Sequence, residues 1–509
     1  MSTQVFTWIL LVLFIGGMLL IGKLGSKSAS TMSGFAIAKG SVKPWWLGVC
    51  FGATYSSANL FIGVPGWAYS YGESALWWTW GCFGLSWIGI ILLAKKFWKF
   101  GQEAGGAISL ADWLGIRYNS QILRLGVAVM GLFSIYYILG QNVGIATLFE
   151  SMLGVPYMWG LILATVIIII YIGVGGAFAD IVTDTIQGVL MMIFGIIVFL
   201  SLIWTVGGGF GFLGKLHSEL NAISPVLTAP LNPESPNFSD VFGIVGIMFL
   251  LLGFVLLPAL INKVLALESE KDLREFLWSS GICLFIMSNT MVFAGLAGRV
   301  ILPPLQYADA VVPQYIAAAF PPLVAGLIVV TVLAAVLSTT DGLYVAIATM
   351  LSSDIYGKIL APILHKDTPR EVIDRRTVLL SKALIPVIGV VAFFLAMNRP
   401  ASLTLLTQIG NSGIISGVAA AIVLGYFWRR ANRTGAIASF ICGTGGYIFL
   451  LVSGIQTNVF KALVIASSLG FVAMIVVSFL TPPMPEEHTN RFLGDPKAAK
   501  ENGKAGAKA

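Results

Sequence analysis

Charge is the scarcest commodity in this sequence. Only 10% of its 509 residues are Asp, Glu, Lys or Arg, while 57% are hydrophobic. A soluble domain carries roughly 25% charged residues, so no soluble globular class fits. Histidine and cysteine are also rare, at three and four copies. His217, His365 and His488 all fall in expected loops, which argues against a transition-metal or haem centre among the apolar segments. Cys50, Cys82, Cys283 and Cys442 lie far apart within apolar segments and show no CxxC spacing. They read as small buried hydrophobes rather than disulfides or metal ligands. No Lys or Arg precedes the first apolar run, so it reads as an uncleaved first helix and not as a signal peptide. The net charge of +7 is carried by loops and is no signature of nucleic-acid binding.

What fills the chain instead is a series of long apolar runs. Each is about as long as the ~20 residues that a helix needs to cross a bilayer. None shows the polar–apolar alternation of a barrel strand. Thirteen spans are expected, near 6–24, 44–70, 75–94, 122–150, 157–176, 183–207, 239–262, 274–300, 320–350, 376–398, 402–427, 434–455 and 459–480. An odd count with the N-terminus outside places the C-terminus inside. Of the 30 Lys and Arg residues, 25 fall in segments thereby assigned to the cytoplasm, and only Lys215, Arg299 and Arg399 fall in outer segments. This is the positive-inside pattern, and it assigns the chain to a cell's inner (plasma) membrane as a multi-pass protein. The polar stretch 481–509 reads as a disordered cytoplasmic tail. Segment 208–238, with four prolines, is either a surface loop or a lid, and 95–121 holds a short interfacial helix.

Two spans are interrupted. Span 2 contains GATYSSANLFIGVPG (52–66), with three glycines, a proline and a run of small polar residues. Span 7 contains Gly253 and Pro258. The two are five spans apart and run in opposite directions. Spans 2–6 and 7–11 (44–207 and 239–433) therefore read as two five-helix repeats of inverted topology. Segment 1–43 precedes them as a first helix and inner loop, and 434–480 follows as two peripheral helices. Interrupted helices at matching positions in two halves point to a transporter's midplane site. An unwound turn frees carbonyl oxygens that must be satisfied in hydrocarbon, and a cation can satisfy them. A second polar cluster lies in span 9, where Ser338, Thr339 and Thr340 are followed by Asp341. An intramembrane carboxylate is a functional candidate, either as a ligand or facing an inner vestibule.

Four segments together resemble the sodium/solute symporter family, whose core is a LeuT-type inverted repeat: ATYSSANLFIGVPGWAYSYG (53–72), IYIGVGGAFADIVTDTIQGVLM (170–191), GLAGRVILP (295–303) and AAVLSTTDG (334–342). The resemblance covers nearly the whole chain, and the wording of the blocks looks most like bacterial sodium/pantothenate symporters. It implies a sodium site formed by carbonyls of Ala53, Ser56 and Ala335 and hydroxyls of Ser338 and Thr339. Residues 335, 338 and 339 share one helix face, which turns Asp341 away from the ion. Asp184 matches a family carboxylate on the sodium exit path, or else is an acid favoured at a helix N-terminus. The solute pocket implied beside the sodium offers Ser57, Asn59, Thr79, Gln141, Asn142, Thr407, Gln408 and Asn411. Family sugar carriers have a glutamine where this chain has Leu60, which disfavours a sugar. Lys263 stands where many members have an arginine. The tryptophans and tyrosines between Trp67 and Trp80 read mainly as an interfacial belt, one or two of them forming an outer gate.

The expectation is an all-α integral membrane protein that imports a small organic solute with sodium, works as a monomer and binds no nucleic acid. Pantothenate or another small carboxylate is the first choice of solute, and a proline-like amino acid the second. From other classes, a cation channel would want symmetry about a pore, and a membrane sensor would want a signalling domain. No Cys/His, paired-acid or nucleophile constellation in the spans suggests an enzyme.

Overall fold

A computed structural model describes residues 3–25, 31–38, 42–103, 107–398 and 403–494. Every regular element among them is helical. The chain runs through α1 (Thr3–Gly25), α2 (Met32–Ile37), α3 (Pro44–Ala58), α4 (Val64–Tyr71), α5 (Leu76–Glu103), α6 (Leu110–Arg117), α7 (Gln121–Met130), α8 (Ser134–Leu153) and α9 (Tyr157–Thr205). It continues with α10 (Phe212–Ile223), α11 (Val241–Leu252), α12 (Pro258–Leu265), α13 (Glu270–Thr290), α14 (Val292–Ile301), α15 (Val311–Ala319) and α16 (Pro322–Thr349). It ends with α17 (Ala361–Leu364), α18 (Arg370–Ala396), α19 (Leu403–Phe427), α20 (Arg433–Phe440), α21 (Gly446–Val452), α22 (Val459–Leu480) and α23 (Glu486–Leu493). Ten helical runs among the described residues are long and apolar enough to cross a membrane, and two shorter apolar helices, Tyr157–Ile170 and Val241–Leu252, accompany them. Two of the expected spans fall within one such run, Pro44–Gln102, of 59 residues.

Both expected interruptions are present, and each has a local cause. Between α3 and α4 the backbone leaves the helix at Ser57, whose φ of 28° and ψ of 172° no helix accommodates. The residues after it, Asn59–Gly63, form a widened turn that leads into α4. The break is therefore at a serine, and not at Gly52, Gly63 or Gly66 as the composition suggested. Gly63 serves close packing instead: a Cβ there would lie 1.9 Å from Thr404 Oγ1. The second interruption separates α11 from α12. Leu257 is extended (φ −70°, ψ 136°), and Pro258 starts the next helix, where its missing N–H costs nothing.

The broken helix α3 is the hub, packed against α13, α16 and α9. Its continuation α4 packs on α14, where glycine brings the backbones together. The helical run α9 covers two expected spans; its 49 residues would extend ~70 Å, about twice the hydrocarbon thickness. Its beginning bonds the end of α18, with Tyr157 Oη donating to Ala396 O at 2.8 Å. Its end approaches the end of α15, with Trp204 Nε1 donating to Ala319 O at 3.4 Å. Its middle meets Lys263, in a segment that the charge pattern of the sequence assigns to the basic side.

Three expectations need correction. Cys442 is exposed, not buried, because it lies on the outward face of its helix. The tail is ordered to residue 494: α23 packs Phe492 against Phe100 (5.6 Å between rings), and His488 Nε2 bonds Arg117 O at 2.8 Å. Residues 495–509 of the expected disordered tail lie outside the described residues. The expected interfacial helix in 95–121 is α6, but Trp113, Arg117 and Tyr118 are fully buried by packing against α5 and Tyr426.

Candidate functional site

The break at Ser57 redirects two backbone amides. Ala58 N–H, which an unbroken helix would give to Thr54 O, donates to Gln141 Oε1 at 2.9 Å. Asn59 N–H donates to Ser57 Oγ at 3.1 Å. Carbonyls just before a break need other donors, and α16 supplies them. Ser338 Oγ donates to Ala53 O at 3.1 Å, and Thr339 Oγ1 donates to Thr54 O at 2.7 Å. Both hydroxyls also lie near Ala335 O, at 3.0 and 3.4 Å. Ala53, Ala335, Ser338 and Thr339 are thus gathered in one fully buried cluster, as expected from the sequence.

Thr54 joins this cluster unforeseen; the signal was its place one residue after Ala53 in the interrupted segment. Ser56 is not joined to it by any hydrogen bond among the described residues. Its hydroxyl turns to Gly52 O (2.7 Å) and Met287 Sδ (2.8 Å). The cluster offers neutral oxygens alone, with no thiol, imidazole or carboxylate. Such a donor set suits a small hard cation and not a transition metal.

Asp184 is next to the cluster. Its Oδ2 accepts from Thr54 Oγ1 at 2.7 Å and from Cys50 Sγ at 3.5 Å. It sits in mid-helix, so the helix N-terminus reading is ruled out. The structure also reveals a neighbouring ion pair that the sequence reading missed. Lys263 of α12 pairs with Asp180, and its Nζ lies 3.6 Å from Asp184 Oδ2. A lysine so soon after Pro258 in an apolar helix, and two acids spaced i, i+4, were the available signals. Thr340 bonds back to Val336 O at 2.6 Å, away from the cluster. Asp341 is fully buried, which excludes a position in an open vestibule.

The expected solute residues form a second polar zone. Gln141 of α8 caps Ala58, while both amide atoms of its neighbour Asn142 find no hydrogen-bond partner among the described residues. The same is true of Asn59 Oδ1 and Thr404 Oγ1, which face each other across Gly63. Along α19, Thr407 Oγ1 donates to Thr404 O, Gln408 Nε2 to Thr407 Oγ1, and Asn411 Nδ2 to Gln408 Oε1, at 2.8, 3.1 and 3.1 Å. Asn411 links the two zones: with Thr54, Thr339 and Tyr137 it lines a cavity of about 10 Å³. That is room for one water. Ser57 contributes the backbone break. Thr79 stands apart, buried and without a hydrogen bond to any of the others. Thr404 and Tyr137 were not foreseen; the available signal was their place one helical turn from Thr407 and Gln141.

Away from the basic side, aromatic rings cover the broken helix. Trp67 of α4 meets Trp78, Phe238 and Phe460 edge-on, at 5.6, 5.5 and 6.4 Å. Trp67, Tyr69 and Trp78 are buried, so these three are a plug and not an interfacial belt, whereas Trp80 is 57% exposed. Segment 208–238 is tied down over this plug. Asn232 Nδ2 donates to Tyr71 O at 3.0 Å, and Trp77 Nε1 to Pro230 O at 2.8 Å.

Two interrupted helices crossing beside a cluster of cation-ready oxygens define a secondary transporter of the LeuT type. The same fold is seen in a Na+-coupled sialic acid symporter in its substrate-bound outward-open state. The TM-score is 0.74 at 20% identity, over 94% of this chain and 98% of that one. A nucleobase-cation-symport-1 family transporter in a closed conformation shares it at a TM-score of 0.55 and 13% identity, over 90% and 97%. A sequence model of the sodium:solute symporter family matches residues 35–443, and the chain belongs to that family. Its relatives include a sodium/pantothenate symporter of Haemophilus influenzae, 26% identical over 92% of this chain and 94% of that protein. A high-affinity proline transporter of Bacillus subtilis is 25% identical over 93% and 98%. The protein is a multi-pass inner-membrane symporter with sodium as the co-transported ion, and not an enzyme.

Proposed function

We propose that the protein imports a small organic carboxylate with sodium by alternating access, that pantothenate is the best match, and that it works as a monomer. The observation that carries this reading is the contact between Ser338 and Thr339 and the carbonyls of Ala53 and Thr54. A sodium ion placed there takes Ala53, Thr54, Ala335, Ser338 and Thr339 as ligands, with Ser56 O as a further candidate. It ties α3 to α16, which belong to different repeats, 44–207 and 239–433. Asp184 then lies on the path from this site to the basic, cytoplasmic side.

A carboxylate finds its place where the second half of the broken helix begins. The amides of Ala58 and Asn59 point there, and a helix N-terminus favours negative charge. In the structure these amides are held by Gln141 and Ser57. Asn59, Asn142, Thr404 and the Thr407–Gln408–Asn411 chain supply further donors and acceptors. Thr79 is the weakest of the solute candidates. Relatives that carry pantothenate and relatives that carry proline both support a carboxylate. The test is uptake of labelled pantothenate and of labelled proline into proteoliposomes with an inward sodium gradient, against choline. Sodium-dependent, saturable uptake of pantothenate that excess proline does not block is expected. Uptake of neither, or flux that does not saturate, would overturn the reading; block by proline would move the assignment to the amino acid.

A further inference from the structure

Lys263 has no role in the sodium site as drawn, yet it is the most costly side chain nearby. It is 3% exposed, deep in an apolar helix. A lysine in that setting needs negative partners, and it has two. Asp180 and Asp184 lie one turn apart on the same face of α9, and both are buried. Lys263 pairs with Asp180 and sits 3.6 Å from Asp184 Oδ2. With both carboxylates ionised, two acids and one ammonium would leave this buried group one charge negative.

Three more observations point to a second cation. Asp180 Oδ1, Asp184 Oδ1 and Asn262 Oδ1 find no hydrogen-bond partner among the described residues. Asn262 is only 7% exposed and lines the same small cavity as Asp180 and Lys263. These are hard oxygen donors of the kind that bind a group 1 cation. The group also touches the sodium site through one residue: Thr54 gives its hydroxyl to Asp184 and its carbonyl to Thr339. On the far side, Ala36 and Ile37 of α2 close the cavity towards the basic face.

We propose that Lys263 is a tethered cation that competes with sodium for the Asp180–Asp184 pair, and that this competition sets how readily sodium leaves the Ser338–Thr339 site. When the ammonium is seated between the acids, an ion arriving at Asp184 meets a like charge. When α12 moves and draws the ammonium away, both acids are open to the ion. Lys263 rides on the second broken helix, so the exchange is tied to the movement of that helix. The inference rests on sodium binding at Ser338 and Thr339, and the test separates the two.

The measurement is sodium binding to the purified full chain in nanodiscs without solute, read by sodium-dependent thermal shift and by radioactive sodium, with choline as control. Lys263→Gln is expected to tighten sodium binding by about tenfold or more, the scale expected from removing a unit charge a few ångströms away, and to slow uptake. Asp180→Asn is expected to weaken sodium binding by about tenfold on the same grounds. The double variant Asp180→Asn/Lys263→Gln restores the charge and should return binding to within about threefold of the parent. A merely structural ion pair would instead give weaker binding in all three. If Lys263→Gln does not fold, the charge-balanced double variant decides: binding weakened as much as in Asp180→Asn overturns the proposal. If the parent shows no response to sodium, the sodium site itself is wrong. If the parent responds and Lys263→Gln matches it, only the role of Lys263 falls.

Discussion

Thr339→Val replaces a hydroxyl with a methyl of nearly the same shape, at a position where the structure allows both sides of the energy change to be counted. In the structure the hydroxyl donates to Thr54 O at 2.7 Å. A sodium ion seated there would take over that carbonyl, so binding gives up one neutral hydrogen bond, worth about 0.5–1.5 kcal/mol net. In return the ion gains the hydroxyl oxygen as a ligand, a contact with a charge worth about 1.5–3 kcal/mol. The variant loses the gain and escapes the loss, so with matched ends of the two ranges sodium binding weakens by about 1–1.5 kcal/mol, or roughly 5- to 13-fold. Thr339→Ser keeps the oxygen and should stay within about twofold. The assay is the sodium concentration that half-saturates a thermal shift, and then uptake at fixed solute. The reasoning would be refuted by Val behaving as Ser does, with sodium dependence intact in both.

Gly295→Ala should separate α4 from α14, because the new Cβ would lie 2.1 Å from Pro65 O, a backbone atom that cannot swing aside. Overpacking of this kind costs about 1–3 kcal/mol, whereas Gly84→Ala, with nothing within 4 Å, should leave the melting temperature near that of the parent. Half-buried His488 is held below the ordinary histidine range by burial, with Arg117, Arg491 and Arg433 adding to the effect and the bond to Arg117 O opposing it. The folded tail thus takes up fewer protons than the unfolded one, so its docking is strongest above the unfolded value of ~6.5 and weakens as pH falls through it. Protection against hydrogen exchange across Glu486–Leu493, taken relative to the intrinsic exchange rate at each pH, should fall from pH 7.5 to 5.5, and should not in His488→Gln. An inside-negative potassium diffusion potential should speed pantothenate uptake; no response would mean one sodium per monoanion.

Composition carries most of the fold. Charge so sparse and spans so apolar leave helices in a bilayer as the solution, and the positions of Gly253 and Pro258 mark the second break to within a few residues. The first break was harder to place. Gly52, Gly63 and Gly66 looked like its cause, but their missing side chains serve contacts with Cys283, Thr404 and Asp309. The turn itself is set at Ser57, whose hydroxyl accepts from Asn59 N–H, while Gln141 Oε1 accepts from the freed Ala58 N–H. Those partners come from 83 residues away in one case and two in the other, and only folding pairs the distant one. The clustering of Ser338 and Thr339 against the broken helix was legible from the run of hydroxyls in an apolar span and from the family resemblance, with 335, 338 and 339 on one helix face. The Asp180–Lys263 pair was not, since the i, i+4 acids and the lysine after Pro258 lie 83 residues apart and nothing in the sequence says that the two helices meet.

The hydrogen bonds of the cluster also bear on how sodium could drive the solute. Ser338 and Thr339 already reach the α3 carbonyls, so an ion would replace contacts rather than create a new interface. The ion itself supplies the driving force. A potential of ~100 mV contributes ~2.3 kcal/mol per charge, and a tenfold sodium gradient adds ~1.4 kcal/mol. Together they could concentrate a neutral solute several-hundred-fold. A monoanion cancels the charge carried by one sodium, which leaves only the gradient and about tenfold accumulation. A carboxylate importer that accumulates more than that must move at least two cations inward per cycle, and the neutral oxygens at Ser338 and Thr339 have room for one. The acid pair beside Thr54, opened when Lys263 draws away, is where the structure could hold the other on its way through.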